Sequence, residues 1–167
     1  MILAVDVDYH PDGTACVAGV GFNLWQQEQE SNSFLHTVQK VADYQPGQFY
    51  KRELPCILEL LEVIEERPSL IVVDGYVWLD TQGRAGLGAY LYDHLKREVP
   101  VIGVAKTSFQ KSPHAWEVLR GQSRKPLFIT AAGLDPLSAA ECVRRMHGSH
   151  RIPTLLKRAD HLCRGRV

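Results

Sequence analysis

The chain has 167 residues, 45% of them hydrophobic, and a formal net charge of zero, which is enough apolar material for one ordinary domain with a buried core. No run approaches the roughly 18 consecutive apolar residues of a membrane span, and residue 2 enters a strand-like run without the basic-then-apolar layout of a secretory signal, so one cytoplasmic domain over 1–167, with no membrane partner, is expected. Zero net charge argues at first against a nucleic-acid partner, but residues 1 to 95 hold 5 Lys/Arg against 14 Asp/Glu while residues 96 to 167 hold 14 against 5; a carboxylate metal site facing a phosphate-binding surface gives that asymmetry, and so do ordinary solvated faces.

In chain order, residues 2 to 8, 15 to 24 and 31 to 38 predict three successive strands. The first is the most apolar, as a central strand covered on both faces must be, and Pro11-Asp12-Gly13 supplies the turn before the second. From Glu53 to Glu66, Leu54, Ile57, Leu58, Leu61 and Ile64 recur at helical spacing, so Glu53 is expected to open an amphipathic helix with Pro55 in its first turn. Runs at 70 to 74 and 100 to 105, separated by a helical stretch near 87 to 97, form a βαβ pattern. A further strand is predicted at 126 to 131, and Asp135-Pro136 caps a helix that runs to about Met146. Thr154 is expected to cap a last helix whose buried stripe is Leu155, Leu156, Ala159, Leu162 and Cys163, with Asp160 beside it. Cys16, Cys56, Cys142 and Cys163 are widely separated and read as free thiols.

Three acidic residues stand at the ends of these runs: Asp6 in Ala4-Val5-Asp6-Val7-Asp8, Glu53 in Arg52-Glu53-Leu54, and Asp74 in Val72-Val73-Asp74-Gly75. A partly buried carboxylate persists when it is paired, hydrogen-bonded or bound to metal. Three of them, followed by Lys106 after Val101-Ile102-Gly103-Val104-Ala105, point to Mg²⁺ and phosphoester chemistry. Asp8, two residues from Asp6, faces the same side of the strand and either supports the site or meets solvent. The order of three antiparallel strands, a helix, then alternating parallel strands and helices is that of the ribonuclease H-like α/β fold, a central mixed sheet flanked by helices.

The segments Val5-Asp6-Val7-Asp8-Tyr9, Tyr44-Gln45-Pro46-Gly47, Arg52-Glu53-Leu54-Pro55, Val73-Asp74-Gly75, Ile102-Gly103-Val104-Ala105-Lys106 and Arg151-Ile152-Pro153 with Arg158-Ala159-Asp160 together resemble the endonuclease V family over nearly the whole chain. The resemblance implies a Mg²⁺-dependent endonuclease, with Mn²⁺ able to substitute. Such an enzyme acts on DNA or RNA containing a deaminated purine, chiefly inosine, and cleaves the second phosphodiester bond on its 3′ side to leave a 3′-hydroxyl and a 5′-phosphate. It makes Asp6, Glu53 and Asp74 metal ligands, places Lys106 near the scissile phosphate, and gives Asp160 a role at the metal or the water. Tyr44, Pro46 and Gly47 match a loop that wedges beside a flipped base, and Gly75, Trp78 and Arg158 are further substrate-contact candidates. A monomer is expected.

The sequence departs from that family after Asp74-Gly75, where relatives usually carry a histidine, a glycine and then His-Pro-Arg. Here the run is Tyr76-Val77-Trp78-Leu79-Asp80-Thr81-Gln82-Gly83-Arg84, and Gly133-Leu134 replaces a Gly-His pair. A nucleic-acid-binding relative with weak catalysis and altered base choice is therefore a second reading. A third is an aspartate-nucleophile phosphatase, since Asp6-Val7-Asp8 also resembles the D-x-D start of haloacid dehalogenase-like enzymes. His147 and His150 read as surface histidines of a basic segment, and Arg144, Arg145, Arg151, Lys157, Arg158, Arg164 and Arg166 make the last quarter the most basic.

Overall fold

A computed structural model describes residues 1–110 and 113–166. Seven strands form one mixed sheet: β1 (Ile2–Tyr9), β2 (Ala15–Phe22), β3 (Asn32–Val38), β4 (Leu70–Asp74), β5 (Val101–Ala105), β6 (Trp116–Val118) and β7 (Leu127–Ala132), in the spatial order β3-β2-β1-β4-β5-β7-β6. Four helices cover it: α1 (Tyr50–Val63), α2 (Leu87–His94), α3 (Pro136–Arg144) and α4 (Thr154–Cys163). β1, β4 and β5 are parallel neighbours at the centre, and the pairs β1–β2, β2–β3, β5–β7 and β6–β7 are antiparallel. This is the expected ribonuclease H-like arrangement, with β6 the strand that the sequence pattern does not predict.

The period of two sorts the strand residues between two cores. Leu3, Val5 and Val7 of β1 join Ile71 and Val73 of β4 and pack on Leu54, Ile57 and Leu60 of α1 and Leu91 of α2. Ile2 and Ala4 join Val72, Ile102 and Val104 on the other face, under Ala139 and Val143 of α3 and Leu155 and Ala159 of α4. The same parity carries Asp6, Asp74 and Lys106 to the α4 face. Ala4 pairs with Val72, an offset that sets Asp6, within β1, level with Asp74 at the carboxyl end of β4. Asp74 pairs with Val104, which leaves Lys106 two residues further along, just past the end of β5.

Helix α1 starts three residues before Glu53, so Glu53 lies a turn inside it and Pro55 lies deeper still. Its first turn is tightened by Lys51 and Arg52 amides donating to the Gln48 and Phe49 carbonyls. Glu53 shares a buried stripe with Ile57 and Leu60, at i, i+4 and i+7, and this explains why a carboxylate is only 3% exposed. Asp135 caps α3 as expected, its side chain accepting from the Ser138 amide at 3.0 Å. At α4 the cap position is Pro153, and the Thr154 hydroxyl instead meets His147 Nδ1 at 2.9 Å. All four cysteines are free, Cys56 and Cys163 buried and the other two half-buried.

Candidate active site

Asp6 is 9% exposed, and its Oδ1 accepts from the Val7 amide at 2.9 Å. Burial, then the negative charge of Asp74, and also that of Asp160, push its carboxyl up to about 6, against the opposing pull of the Val7 amide and Lys106. Glu53 reaches the same place from α1. Its burial, followed by the charges of Asp6 and Asp74, holds its carboxyl well above the usual carboxylate range. The Tyr9 hydroxyl lies close enough to favour the charged form of Glu53, but the two do not reach hydrogen-bond geometry, and that buried hydroxyl meets no other partner among the described residues.

Lys106 Nζ lies 3.2 Å from Asp74 Oδ2, with both side chains more than a third exposed. Burial disfavours its charge, yet Asp74, Asp6 and Asp160 outweigh that and raise its pKa. Asp160 sits opposite on α4. Although burial opposes it, the Arg164 guanidinium, donating to Asp160 Oδ1 at 2.7 Å, holds the carboxyl below its ordinary value. Arg164 also reaches Asp8 Oδ1 at 3.3 Å, so Asp8 is tied to α4 at the edge of the cluster.

Among the described residues the tightest set of potential ligand atoms is Asp6, Asp160 and Cys163, all within 4.8 Å of one another. Glu53 and Asp74 stand outside that set; the charge of Asp74 raises the pKa of Asp6, and the charges of Asp6 and Asp74 raise that of Glu53. Cys163 stands one helical turn after Asp160, an i, i+3 spacing that puts the two side by side on α4. Its thiol donates to the Asp160 carbonyl at 3.2 Å, and burial pushes it up to about 12. Hard carboxylate oxygens clustered around a buried Asp6, with one ammonium facing them, are a donor set suited to Mg²⁺ or Mn²⁺.

Two concavities meet at Asp74 and Lys106. One, about 280 Å³, runs from Asp6 and Asp160 between the sheet and α4, with His150, Arg151 and Lys157 at its mouth. The other, about 440 Å³, lies beyond Gly75 and is walled by Gly47, Tyr76, Leu79 and Phe109. Gly103 packs against the Gly75 backbone that lines this cavity: a Cβ there would meet the Gly75 carbonyl oxygen at 2.5 Å and the Val77 amide nitrogen at 2.9 Å. The Tyr76 hydroxyl donates to the Thr107 carbonyl at 2.7 Å and accepts from the Phe109 amide at 3.2 Å, fixing the segment after β5 against the altered segment after β4.

The structure thus gathers Asp6, Glu53, Asp74, Lys106 and Asp160 at one end of the sheet, with Gly47 and Gly75 lining the second cavity. Tyr44 and Pro46 are exposed on the loop before α1, Tyr44 lying 6.0 Å from the Arg52 guanidinium, which itself stacks over Tyr9 at 4.0 Å. Two of the expected substrate-contact residues are held elsewhere. Trp78 does not line the cavity; its indole N–H donates to the Ala131 carbonyl at 3.0 Å and its ring packs against the core under α1 and α2. Arg158 turns away to an ion pair with Glu30 at 2.8 Å. Tyr76, Leu79, Phe109 and Arg151 line the site without having been named as site residues; Tyr76 and Leu79 belong to the altered run after Asp74-Gly75 and Arg151 to a family-like basic segment, whereas Phe109 carried no signal.

The family model described as Endonuclease V matches residues 1–124. Endonuclease V of Rhodospirillum centenum is 28% identical over 92% of this chain and 79% of its own. The crystal structure of endonuclease V from Streptomyces avermitilis superposes with a TM-score of 0.77 at 25% identity, covering 98% of this chain and 79% of that one. Ciona intestinalis endonuclease V, in complex with a 24mer DNA containing an inosine followed by a ribo-adenosine, has the same fold at a TM-score of 0.79 and 20% identity over 98% of this chain and 84% of its own. With a family match that runs from β1 past β6 and takes in Asp6, Glu53, Asp74 and Lys106, the chain belongs to the endonuclease V family.

Proposed function

We propose that this endonuclease V family member is a Mg²⁺-dependent enzyme that cleaves the second phosphodiester bond on the 3′ side of an inosine-type deaminated purine in DNA or RNA, leaving a 3′-hydroxyl and a 5′-phosphate. The observation that carries the reading is the junction at Asp74 and Lys106, where a cluster of carboxylates meets a cavity of about 440 Å³ walled by Tyr76, Leu79 and Phe109. An aromatic and apolar cavity of that size suits a flipped base, while the carboxylates suit the metal beside its phosphate. The Ciona relative was crystallised with inosine-containing DNA, which supports the substrate class.

In this reading Asp6, Glu53 and Asp74 hold the cation, and Mn²⁺ replaces Mg²⁺. The bound ion supplies Lewis-acid polarisation of the phosphoryl oxygen and lowers the pKa of a water nucleophile. The chain's own groups do the rest. Lys106, beside Asp74 at 3.2 Å, would present its ammonium to the phosphoryl oxygens, where negative charge grows in the transition state. Asp160, kept ionised by Arg164, accepts a hydrogen bond from the attacking water. Tyr44 and Pro46, exposed on the loop that leads to the second cavity, enter the gap left by the flipped base, and Gly47 and Gly75 allow the backbone to approach it.

The protein works as a cytoplasmic monomer, one catalytic domain spanning residues 1–167; among the described residues no helix is long and apolar enough to cross a membrane. The test is nicking of oligonucleotides carrying inosine, uracil or an abasic site, as DNA and as RNA, with Mg²⁺ and with Mn²⁺. Inosine-specific nicking that disappears in Asp74→Ala is the expected result. Binding without nicking on every substrate and metal would leave a weak or non-catalytic binding relative and overturn the reading.

A further inference from the structure

Arg151 stands at the mouth of the first cleft, and its guanidinium is occupied by backbone carbonyls. Its Nε donates to the Lys125 carbonyl at 3.0 Å, and its Nη2 donates to the Pro126 carbonyl at 2.9 Å and to the Lys106 carbonyl. The last of these matters because β5 ends at Ala105. Lys106 is the first residue beyond the ladder, so no strand partner holds its carbonyl; the Arg151 fork takes that place and ties it to the segment that leads into β7.

The loop that carries Arg151 is itself fastened. Arg120, 5% exposed, donates from Nη1 to the His150 carbonyl at 2.8 Å and from Nη2 to the carbonyls of Met146 at 2.6 Å and Gly148 at 3.1 Å. A buried guanidinium that directs its N–H groups to the carbonyls of one loop is a structural fastener, since the alternative is an unsatisfied buried charge. Together the two arginines connect the end of β6, the 146–151 loop and the end of β5. Lys106 Nζ, at the far end of that connection, is the ammonium that faces Asp74.

We propose that Arg151 is a positioning residue for phosphodiester cleavage: its planar fork fixes the Lys106 backbone where β5 has run out, and so holds the Lys106 ammonium in register with Asp74 and the scissile phosphate. This rests on the nuclease reading above. It differs from a simple phosphate contact by Arg151, in which positive charge alone matters and Lys106 is not involved.

The experiment is a double-substitution cycle read by single-turnover cleavage of an inosine oligonucleotide with Mg²⁺ and saturating enzyme. Arg151→Ala is expected to slow cleavage on the order of 10²-fold, as a misplaced catalytic group does. Arg151→Lys is expected to lose nearly as much, because an ammonium gathers its donors at one atom and cannot match acceptors spaced along the Nε and Nη2 of a rigid fork. In a Lys106→Ala background either substitution should cost no more than about twofold, since the group it positions is gone. Arg151→Lys at near wild-type rate, or the full loss persisting on top of Lys106→Ala, overturns the proposal. The Arg151→Lys arm keeps charge and stem and gives the cycle a readout whether or not Arg151→Ala folds. A wild-type enzyme that does not nick inosine would count against the nuclease reading, whereas additivity in an active enzyme counts against Arg151 alone.

Discussion

The carboxylate cluster makes a quantitative prediction about stability without metal. In the folded chain the Asp6 carboxyl is pushed from 3.8 up to about 6 by burial and by Asp74. A carboxyl whose folded pKa exceeds its unfolded value binds its proton more tightly in the native state. The native state is therefore penalised as pH rises through the window from about 4 to about 6, and the penalty is constant above it. A shift of roughly two units corresponds to about 3 kcal/mol at pH 8, and Asp6, at 9% exposure, has little solvent screening to reduce it. Asp6→Asn removes the charge and keeps an oxygen for the Val7 amide. In excess chelator at pH 8 the variant should be more stable than the wild type by up to about 3 kcal/mol, or about 6–12 °C in Tm for a domain of this size. At pH 4 the difference should vanish. Adding Mg²⁺ should stabilise the wild type, by roughly 2.7 kcal/mol at a hundred times its Kd, and should stabilise Asp6→Asn far less. Urea unfolding of the two proteins from pH 4 to pH 8, with chelator and with Mg²⁺, measures all of this as a difference in which titrating groups remote from Asp6 cancel, while the relief of Glu53 adds to the gain that Asp6→Asn makes by its own charge. An Asp6→Asn protein no more stable than wild type in chelator at pH 8 would refute the electrostatic reasoning.

Gly103→Ala forces a methyl group against the Gly75 carbonyl and the Val77 amide. It should cost about 1–3 kcal/mol by chemical denaturation and, by moving the wall of the second cavity, raise KM for an inosine oligonucleotide more than it lowers kcat. Tyr76→Phe removes the hydroxyl that joins Thr107 and Phe109 but leaves the ring in place; a higher KM with little change in the kcat for Mg²⁺-dependent nicking is expected, and an unchanged KM would show that the clamp is idle. Trp78→Phe loses the bond to the Ala131 carbonyl and should cost about 1 kcal/mol of stability without changing which base is cleaved, as measured on the inosine and uracil panel. Inosine-DNA binding should weaken steeply between about 50 and 200 mM salt, since the basic half of the chain supplies phosphate contacts; a flat salt response in a filter-binding assay would exclude that role.

Groups on strands were legible because a period of two leaves only two faces to choose between. Asp6, Asp74 and Lys106 follow from their apolar runs, and the parallel register of β1, β4 and β5 brings them level. Helical periodicity located Glu53 less well: Tyr50, Lys51 and Arg52 extend α1 backwards, which turned an expected helix opening into a carboxylate on the buried stripe. β6 is three residues long and owes its existence to pairing with β7, so its local sequence carries too little pattern to reveal it.

Side chains whose partners are backbone carbonyls left no trace at all. Every residue offers a carbonyl, so nothing in the sequence marks Lys106, Lys125 and Pro126 as the acceptors of Arg151, or Ala131 as the acceptor of Trp78. Distance along the chain hides partners as well: the Ala131 carbonyl that Trp78 meets and the Glu30 carboxylate that Arg158 meets lie 53 and 128 residues away. Resemblance to a family singles out Asp6, Asp74 and Lys106, because the chemistry proposed for them restricts their identity. It includes Arg151 in a segment but does not reveal which carbonyls Arg151 holds, because a carbonyl can be held by any donor that the fold brings near. The altered segment after Asp74 illustrates the distinction: it changes the wall of the cavity through Tyr76 and Leu79 while Asp74 and Lys106 keep their ion pair. On the nuclease reading proposed above, base choice would fall to Tyr76 and Leu79 and phosphodiester chemistry to Asp74 and Lys106, so that a change in one should leave the other intact.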